Sequence, residues 1–395
     1  MVTYPDDWAV YAFDEMFQLY PNNTLSRDKL SEHGTIGDVH YGDVLIKYGS
    51  VLTGKDSIPK IKEEYESLAK TRLQKNDVII ADTAEDETVG KAVQIGDVPF
   101  PIVGGLHTVI CRPLVATATG YLGYYMNSRE YHNQLLPYIA GIKVSSISKT
   151  SIRRTELHIP SSVDEQAAIV DTIERFDAHI SNLAALIEKK RAVRDAALED
   201  LVSGRTRLDG FSGEWKRTTL GKEYHVTMGQ SPPSSSYNSS KNGLPLVQGN
   251  ADIKNGITVP ERYTSMPARI CEAGAVLLSV RAPIGTVSRA NQTVCLGRGV
   301  CALNGSNNDF IYQMMKYYES AWATIGQGST FTAITGKDVR NFQIRIPDEQ
   351  EQDAIAGVLT AMDDEIQSLE AERDKMTQIR EGVMDDLLTG RKRLN

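Results

Sequence analysis

EQAAIVDTIERFDAHISNLAALIEKKRAVRDAALEDLVSGRTRL, from Glu165 to Leu208, and EQDAIAGVLTAMDDEIQSLEAERDKMTQIREGVMDDLLTGRKRL, from Glu351 to Leu394, are one segment written twice. They align without a gap at an offset of 186 residues, and 16 of the 44 paired positions are identical. Apolar residues fall at Ile169, Ile173, Phe176, Ile180, Leu183 and Ile187 in the first copy. In the second they fall at Ile355, Leu359, Met362, Ile366 and Leu369. Steps of four and three make the seam of a coiled coil. Past Ile187 and Arg373 the seam changes phase. It is expected to resume through Val193, Ala197 and Leu201, and through Ile379, Val383 and Leu387. Ser162 with Glu165, and Asp348 with Glu351, have capping-box spacing. Gly204 and Gly390 stand where a C-cap glycine belongs. Each copy thus predicts a helix of about 40 residues, or roughly 60 Å. A dimerisation zipper is one reading. Two matched helices in one chain can instead pair with each other, and an antiparallel pair is expected, with Ile173, Ile180 and Leu183 facing Leu359, Ile366 and Leu369.

The segments before each helix repeat more faintly. Trp8 in YPDDWAVYAF matches Trp215 in FSGEWKRTTL. NDVIIADTAEDETVGKAV from Asn76 resembles GAVLLSVRAPIGTVSRA from Gly274, each an apolar strand, a turn-rich insert and a second strand. SSISKTSIRRTELHIP matches TAITGKDVRNFQIRIP, which pairs Ile147 with Ile334 and Ile152 with Val339. Short Val- and Ile-rich strands, Gly-bounded loops and one or two helices make each block a mixed α/β domain. The expected organisation is a block over 1–159, a helix over 160–208, a block over 209–346 and a helix over 347–395. The fold class is α+β, two pseudo-symmetric blocks separated by two long antiparallel coiled-coil helices.

A chain of 395 residues calls for more than one core. No apolar run approaches the roughly 20 residues that span a bilayer, and MVTYPDDWAV is not the start of a signal peptide. A cytoplasmic location without membrane contact is therefore expected, with Cys111, Cys271, Cys295 and Cys301 reduced and no metal site. The net charge of −8 is unevenly spread. Residues 1–159 carry −4, 160–208 carry −2, 209–346 carry +5 and 347–395 carry −7. The acidity sits mostly on the repeated segments, and one block is basic, so a phosphate-rich partner is not excluded.

The order of parts resembles the specificity subunit of type I restriction-modification systems. The resemblance rests on GQSPPSSSYN from Gly229, PLVQGNADI from Pro245, VLLSVRAPIGTV from Val276, QGSTFTAIT from Gln327, and the matched starts and GR-x-RL exits of both helices. It covers essentially the whole chain, although VHYGDVLIKYGS in the first block departs from LVQGNADIKNG in the second. It implies that each block is a target recognition domain reading one half of a split site in double-stranded DNA. It further implies that the helices space the two readers and dock two methyltransferase subunits, with restriction and motor subunits joining through the complex.

Base-edge readout needs polar and cationic side chains on loops. The first block offers Lys47, Tyr48, Ser50, Lys55, Lys91, His107, Ser145, Ser146 and Lys149. The second offers Gln230, Ser231, Gln248, Asn250, Arg281, Arg298, Gln327, Ser329 and Thr330. Catalytic residues are not expected. SPPS at Ser231–Ser234 lacks the amide and the aromatic of an amino-methyltransferase motif. No phosphate loop of the GxxxxGK[ST] form occurs, and the acidic run Asp82 to Glu87 reads as a solvated loop. No cofactor is expected. A coiled-coil scaffold without DNA contact is the alternative.

Overall fold

The computed structural model describes residues 4–141, 143–327 and 333–394. Both repeated segments are helices, Val163–Ser203 and Glu349–Leu388. The chain divides into two compact units, one of Met1–Asn182 with Glu372–Asn395 and one of Leu183–Ala371. The division runs through both helices, so each unit holds one block and a stretch of each helix.

Within each unit the two helical stretches are antiparallel. In the first, Asp177 accepts from Arg380 Nε at 2.9 Å, and Glu165 pairs with Arg393 at 2.5 Å. In the second, Asp363 accepts from Arg194 Nε at 2.7 Å, and Glu351 pairs with Arg207 at 2.5 Å. Asp177 and Asp363, Arg194 and Arg380, Glu165 and Glu351, and Arg207 and Arg393 are all related by the 186-residue offset. Identities in the repeat therefore encode the same two cross-helix contacts, made once in each unit.

The seam is packed differently from the expectation. Ile169 and Ile173 are buried with Leu387 and Leu388, beside Val383 and Met384. Ile355 and Leu359 are buried with Leu201 and Val202, beside Ala197 and Leu198. The start of each helix thus meets the later phase of the other, not the equivalent residue of its own copy. Leu183 and Ile187 are also buried, while Phe176, Ile180, Met362, Ile366 and Leu369 are half-buried. Val193 and Ile379 do not rejoin the seam; they are 58% and 39% exposed. The capping boxes are half-made. Ser162 Oγ and Asp348 Oδ1 accept from the amides of Glu165 and Glu351, but both glutamates turn to their arginines instead of reaching back. Gly204 and Gly390 end the helices at φ of 74° and 69°, a left-handed conformation that favours glycine.

The two blocks share one topology. In the first, a sheet runs in the order Phe17–Tyr20, Thr108–Pro113, Val78–Ala81, Ala92–Ile95, Val51–Leu52. In the second the matching order is His225–Met228, Val300–Asn304, Val276–Ser279, Val287–Arg289, Ile257–Thr258, with Ile253–Lys254 added at the edge. Val78–Ala81 and Val276–Ser279 are covered on both faces, which is why they read as unbroken apolar runs rather than alternating ones. A second sheet in each block is built on a parallel pair, Gly37–Val39 with Ile102–Gly104 and Leu244–Val247 with Val294–Leu296. A third pairing ties each block's first strand to its last, Trp8–Ala12 to Glu156–Pro160 and Lys216–Thr219 to Gln343–Ile346.

Candidate nucleic-acid interface

The parallel pair and the larger sheet deliver four chain segments to one edge of each block. In the second block the register is fixed by backbone bonds. Gln230 N donates to Leu296 O at 2.9 Å, Gly297 N to Val247 O at 2.7 Å, and Val280 N to Gly299 O at 2.9 Å. Ile334 N then donates to Val280 O at 2.9 Å. Glycine makes this convergence possible. A Cβ on Gly229 would lie 2.1 Å from Gly297 O, and one on Gly299 would lie 2.0 Å from Gln248 O. Gln230, Gln248, Arg281 and Arg298 are carried out of this knot on neighbouring loops. Arg281 and Arg298 are exposed, and among the described residues neither donates a side-chain hydrogen bond or makes an ion pair. Gln248, Asn250 and Arg281, with Arg262, line a polar cleft of about 670 Å³. Gln248 is oriented by donating from Nε2 to the Tyr237 hydroxyl at 3.2 Å. Two guanidinium groups without a partner among the described residues, beside amide side chains, can bind phosphate or the acceptor edge of guanine.

Ser231 is half-buried behind this edge. Gln327 ends the helix Glu319–Gln327. Ser329 and Thr330 lie outside the described residues.

The first block repeats the knot bond for bond. Asn23 N donates to Gly104 O, Gly105 N to Val39 O, Asp82 N to His107 O and Ile147 N to Asp82 O, all at 2.9–3.1 Å. The residues standing where Gln230, Gln248, Arg281 and Arg298 stand are therefore Asn23, His40, Thr83 and Leu106. His107 is exposed here at φ 53°, edge-on to Tyr41, with its Nδ1 3.3 Å from Thr83 Oγ1. Ser145 and Ser146 pair with Ala84 and Thr83 on the same edge, and Lys149 is exposed on the short helix that follows.

The other first-block candidates sit elsewhere. Tyr48 is 2% exposed and packs in the core with Val44, Leu52 and Ile79, so it presents no surface to a base. Lys91 is half-buried, and its Nζ donates to Leu45 O at 2.9 Å and Tyr48 O at 3.1 Å. That ammonium serves the turn after the helix Tyr41–Ile46. Ser50 is half-buried, its hydroxyl 3.5 Å from Asn127 Nδ2. Lys47 and Lys55 are exposed, Lys47 beside Asp43 at 3.9 Å. Tyr41, at the N-terminal end of that helix, is half-buried beside the exposed His107, whereas His40 is only 6% exposed. Val39 of VHYGD corresponds to Val247 of LVQGN, and that correspondence places His40 at the position of Gln248.

Beneath this edge lie buried titratable groups. Asp38 is wholly buried, and burial pushes its carboxyl up to about 6 despite a bond from Asn23. His40 is held below the usual imidazole range by burial and by the Arg27 guanidinium. The four thiols are buried; desolvation pushes those of Cys271 and Cys301 up to about 12, which leaves them unreactive. Among the described residues no group of His, Cys, Asp and Glu could hold a metal ion, and no helix is long and apolar enough to cross a membrane.

The model of the type I restriction modification DNA specificity domain matches twice, over residues 5–189 and 213–378. A Methanocaldococcus jannaschii protein named as the MjaX specificity subunit of a type I restriction enzyme is 27% identical over 414 residues, spanning 99% of this chain and 95% of its own. A Mycoplasma genitalium type I specificity subunit is 31% identical over 109 residues, about a quarter of each chain. The fold is shared with a solved chain of a type I R-M system at TM-score 0.65 and 22% identity, over 98% of both chains. It is shared also with the HsdS subunit from Thermoanaerobacter tengcongensis at TM-score 0.53 and 22% identity, over 98% of both.

Proposed function

The chain belongs to the family of type I restriction-modification DNA specificity subunits, and on that premise we propose that its two knotted edges read the two halves of one split DNA site. The observation that carries this is a frame repeated bond for bond with different side chains at its matching positions. Gln230, Gln248, Arg281 and Arg298 in one copy answer to Asn23, His40, Thr83 and Leu106 in the other. Two readers with the same scaffold and different tips read two different words. The second edge, whose Arg281 and Arg298 guanidinium groups have no partner among the described residues, suits guanine-containing sequence and close phosphate approach; the first, where Asn23 and His40 are buried and Thr83, Tyr41 and the exposed His107 stand nearer the surface, relies on neutral hydrogen bonding.

The chain contributes recognition and leaves methyl transfer to two methyltransferase subunits, with restriction and motor subunits joining the same complex. Support for a doubled partner comes from the helices. Lys189, Val193 and Ala196 form an exposed stripe three to four residues apart, and Lys375, Ile379 and Gly382 repeat it at the 186-residue offset. A surface written twice in one chain suits two copies of one partner. The helices set the gap between the words.

The test is a swap of residues 209–346 for the corresponding block of another family member, followed by sequencing of the methylated sites. One word of the motif should change while the other word and the gap persist. A swap that altered both words would refute independent reading.

A further inference from the structure

The first edge rests on an arrangement that the second edge does without. Asp38 lies in the middle of the strand Gly37–Val39, beneath the loops that carry Asn22, Asn23, His40 and His107. Its Oδ2 accepts from Asn23 Nδ2 at 2.6 Å, and its Oδ1 is buried with no partner. Gly105 lies directly on that oxygen, since a Cβ there would come within 2.2 Å of it. Asn23 in turn accepts from Leu25 N at 2.9 Å, and its backbone amide donates to Gly104 O at 3.0 Å. Asn22 completes the set. Its Nδ2 donates to Gly105 O at 2.8 Å and to Asn23 O at 3.0 Å. Both amide hydrogens of Asn22 are thereby held, and Oδ1 is the end left without a bond among the described residues.

The fold does not need a carboxylate here. The matching position in the second block is Leu246, because Val39 pairs with Gly104 as Val247 pairs with Leu296. Leu246 is fully buried and fills the same place with no polar group to satisfy. A buried carboxylate with one oxygen unbonded is costly, whereas an aliphatic side chain is not. Arg27, whose charge acts on Asp38, is already paired with Asp43. Groups held against their solvation preference are found where they serve a site rather than the core.

We infer that Asp38 is a positioning residue for recognition: through Asn23 and Gly105 it fixes Asn22 so that an amide oxygen faces the DNA and accepts from a base that carries an exocyclic amino group. Adenine N6 and cytosine N4 are the two donors of that kind in the major groove. This rests on the reading of the first edge as one of two half-site readers. It adds which residue orients the tip and which chemistry that tip selects.

The test uses the full chain assembled with its methyltransferase subunits, with methylated sites sequenced for the wild type, Asp38→Asn and Asn22→Ala. Asp38→Asn keeps shape and the acceptor for Asn23, but places an amide against Gly105. The expected result is a motif relaxed at one A- or C-bearing position of one word, with discrimination there lowered about tenfold, the worth of roughly one base-edge hydrogen bond. The other word and the gap should be unchanged, and the thermal midpoint of Asp38→Asn should not fall. Asn22→Ala, on a loop rather than in the core, should relax the same position. A wild-type motif in both variants would overturn the inference while leaving the half-site reading intact. A wild type with no two-word motif would refute that reading and this inference with it.

Discussion

Glu351 and Glu165 occupy the same place in the repeat, yet their surroundings predict unequal consequences for losing their arginines. Glu351 has a side chain only 1% exposed. It takes Arg207 Nε and Nη2 at 2.5 Å each, and the Trp215 indole N–H at 3.1 Å. Glu165 is half-buried, and its partner Arg393 is 40% exposed and shared with Asp7. Arg207→Ala therefore strands a buried carboxylate with one remaining donor. Breaking a buried pair from one side costs about 3–5 kcal/mol; with Arg207 itself 26% exposed, about 3 kcal/mol is the appropriate end of that range. Arg393→Ala leaves Asp7 in water and Glu165 16% exposed rather than 1%, so both carboxylates keep a path to solvent, and pairs made by so exposed an arginine contribute less. The assay is hydrogen exchange over residues 204–220 and 388–394, with urea unfolding followed through tryptophan fluorescence. Arg207→Ala should raise exchange more than a hundredfold around Trp215, since 3 kcal/mol is about two powers of ten, and lower the urea midpoint. Arg393→Ala should leave the global midpoint at the wild-type value. Equal effects of the two substitutions would refute the argument that burial, rather than the contact itself, sets the energy.

Asp38 should make stability depend on pH. Burial pushes its folded carboxyl up to about 6, above its ordinary value of 3.8, so the native state binds more protons between those values and stability falls as pH rises through that window. Asp38→Asn should thus match the wild type below about pH 4 and exceed it by up to about 3 kcal/mol above pH 6.5, read as the difference in urea midpoints. Inserting four residues after Ala185 together with four after Ala371 adds about 6 Å and 40° of helix. It should widen the gap of the methylated motif by one or two base pairs with both words intact, whereas an unchanged gap would make the helices a mere tether. Val193→Asp with Ile379→Asp, both on exposed helix surface, should leave the isolated chain's thermal midpoint unchanged and abolish co-purification of the methyltransferase subunits.

The helices and the repeated order of parts were legible in the sequence because period and capping residues are local signals. The direction of pairing was legible as an expectation, but its register was not. Ile173 meets the stretch around Leu387 rather than Leu359, since an antiparallel partner is found by reading the repeat backwards, and the seam pattern is indifferent to direction. Val193 and Ile379 fit the resumed period yet face outward; an apolar residue on a helix meets a partner or the core with the same spacing. At the candidate edge, Gln248, Asn250 and Arg281 were legible because GN and RAP mark loops directly after apolar strands. Tyr48 and Lys91 misled because composition cannot tell a side chain above a sheet from one beneath it. Tyr41 was concealed because the first block has the helix Tyr41–Ile46 where the second has the short 3-10 helix Asn250–Asp252.

The second unit is one unbroken stretch, Leu183–Ala371, whereas the first needs Glu372–Asn395 to close over residues already made. Gly390 packs on Pro5 and Trp8, and Arg393 reaches Asp7 and Glu165. Order of synthesis then becomes order of folding. At about 5–20 residues per second, the first block waits roughly 10–40 s for its helical partner while the later-made unit can finish. Leu387, Leu388, Val383 and Met384 are the apolar side chains it lacks in that interval, so Ile169 and Ile173 stay uncovered on the ribosome. Chains stalled at residue 371 should be cut by protease within residues 160–182 and spared within 209–346. Quality control of the first block thus falls on residues 372–395: a message truncated before them yields a chain with one sound block and one that never sets.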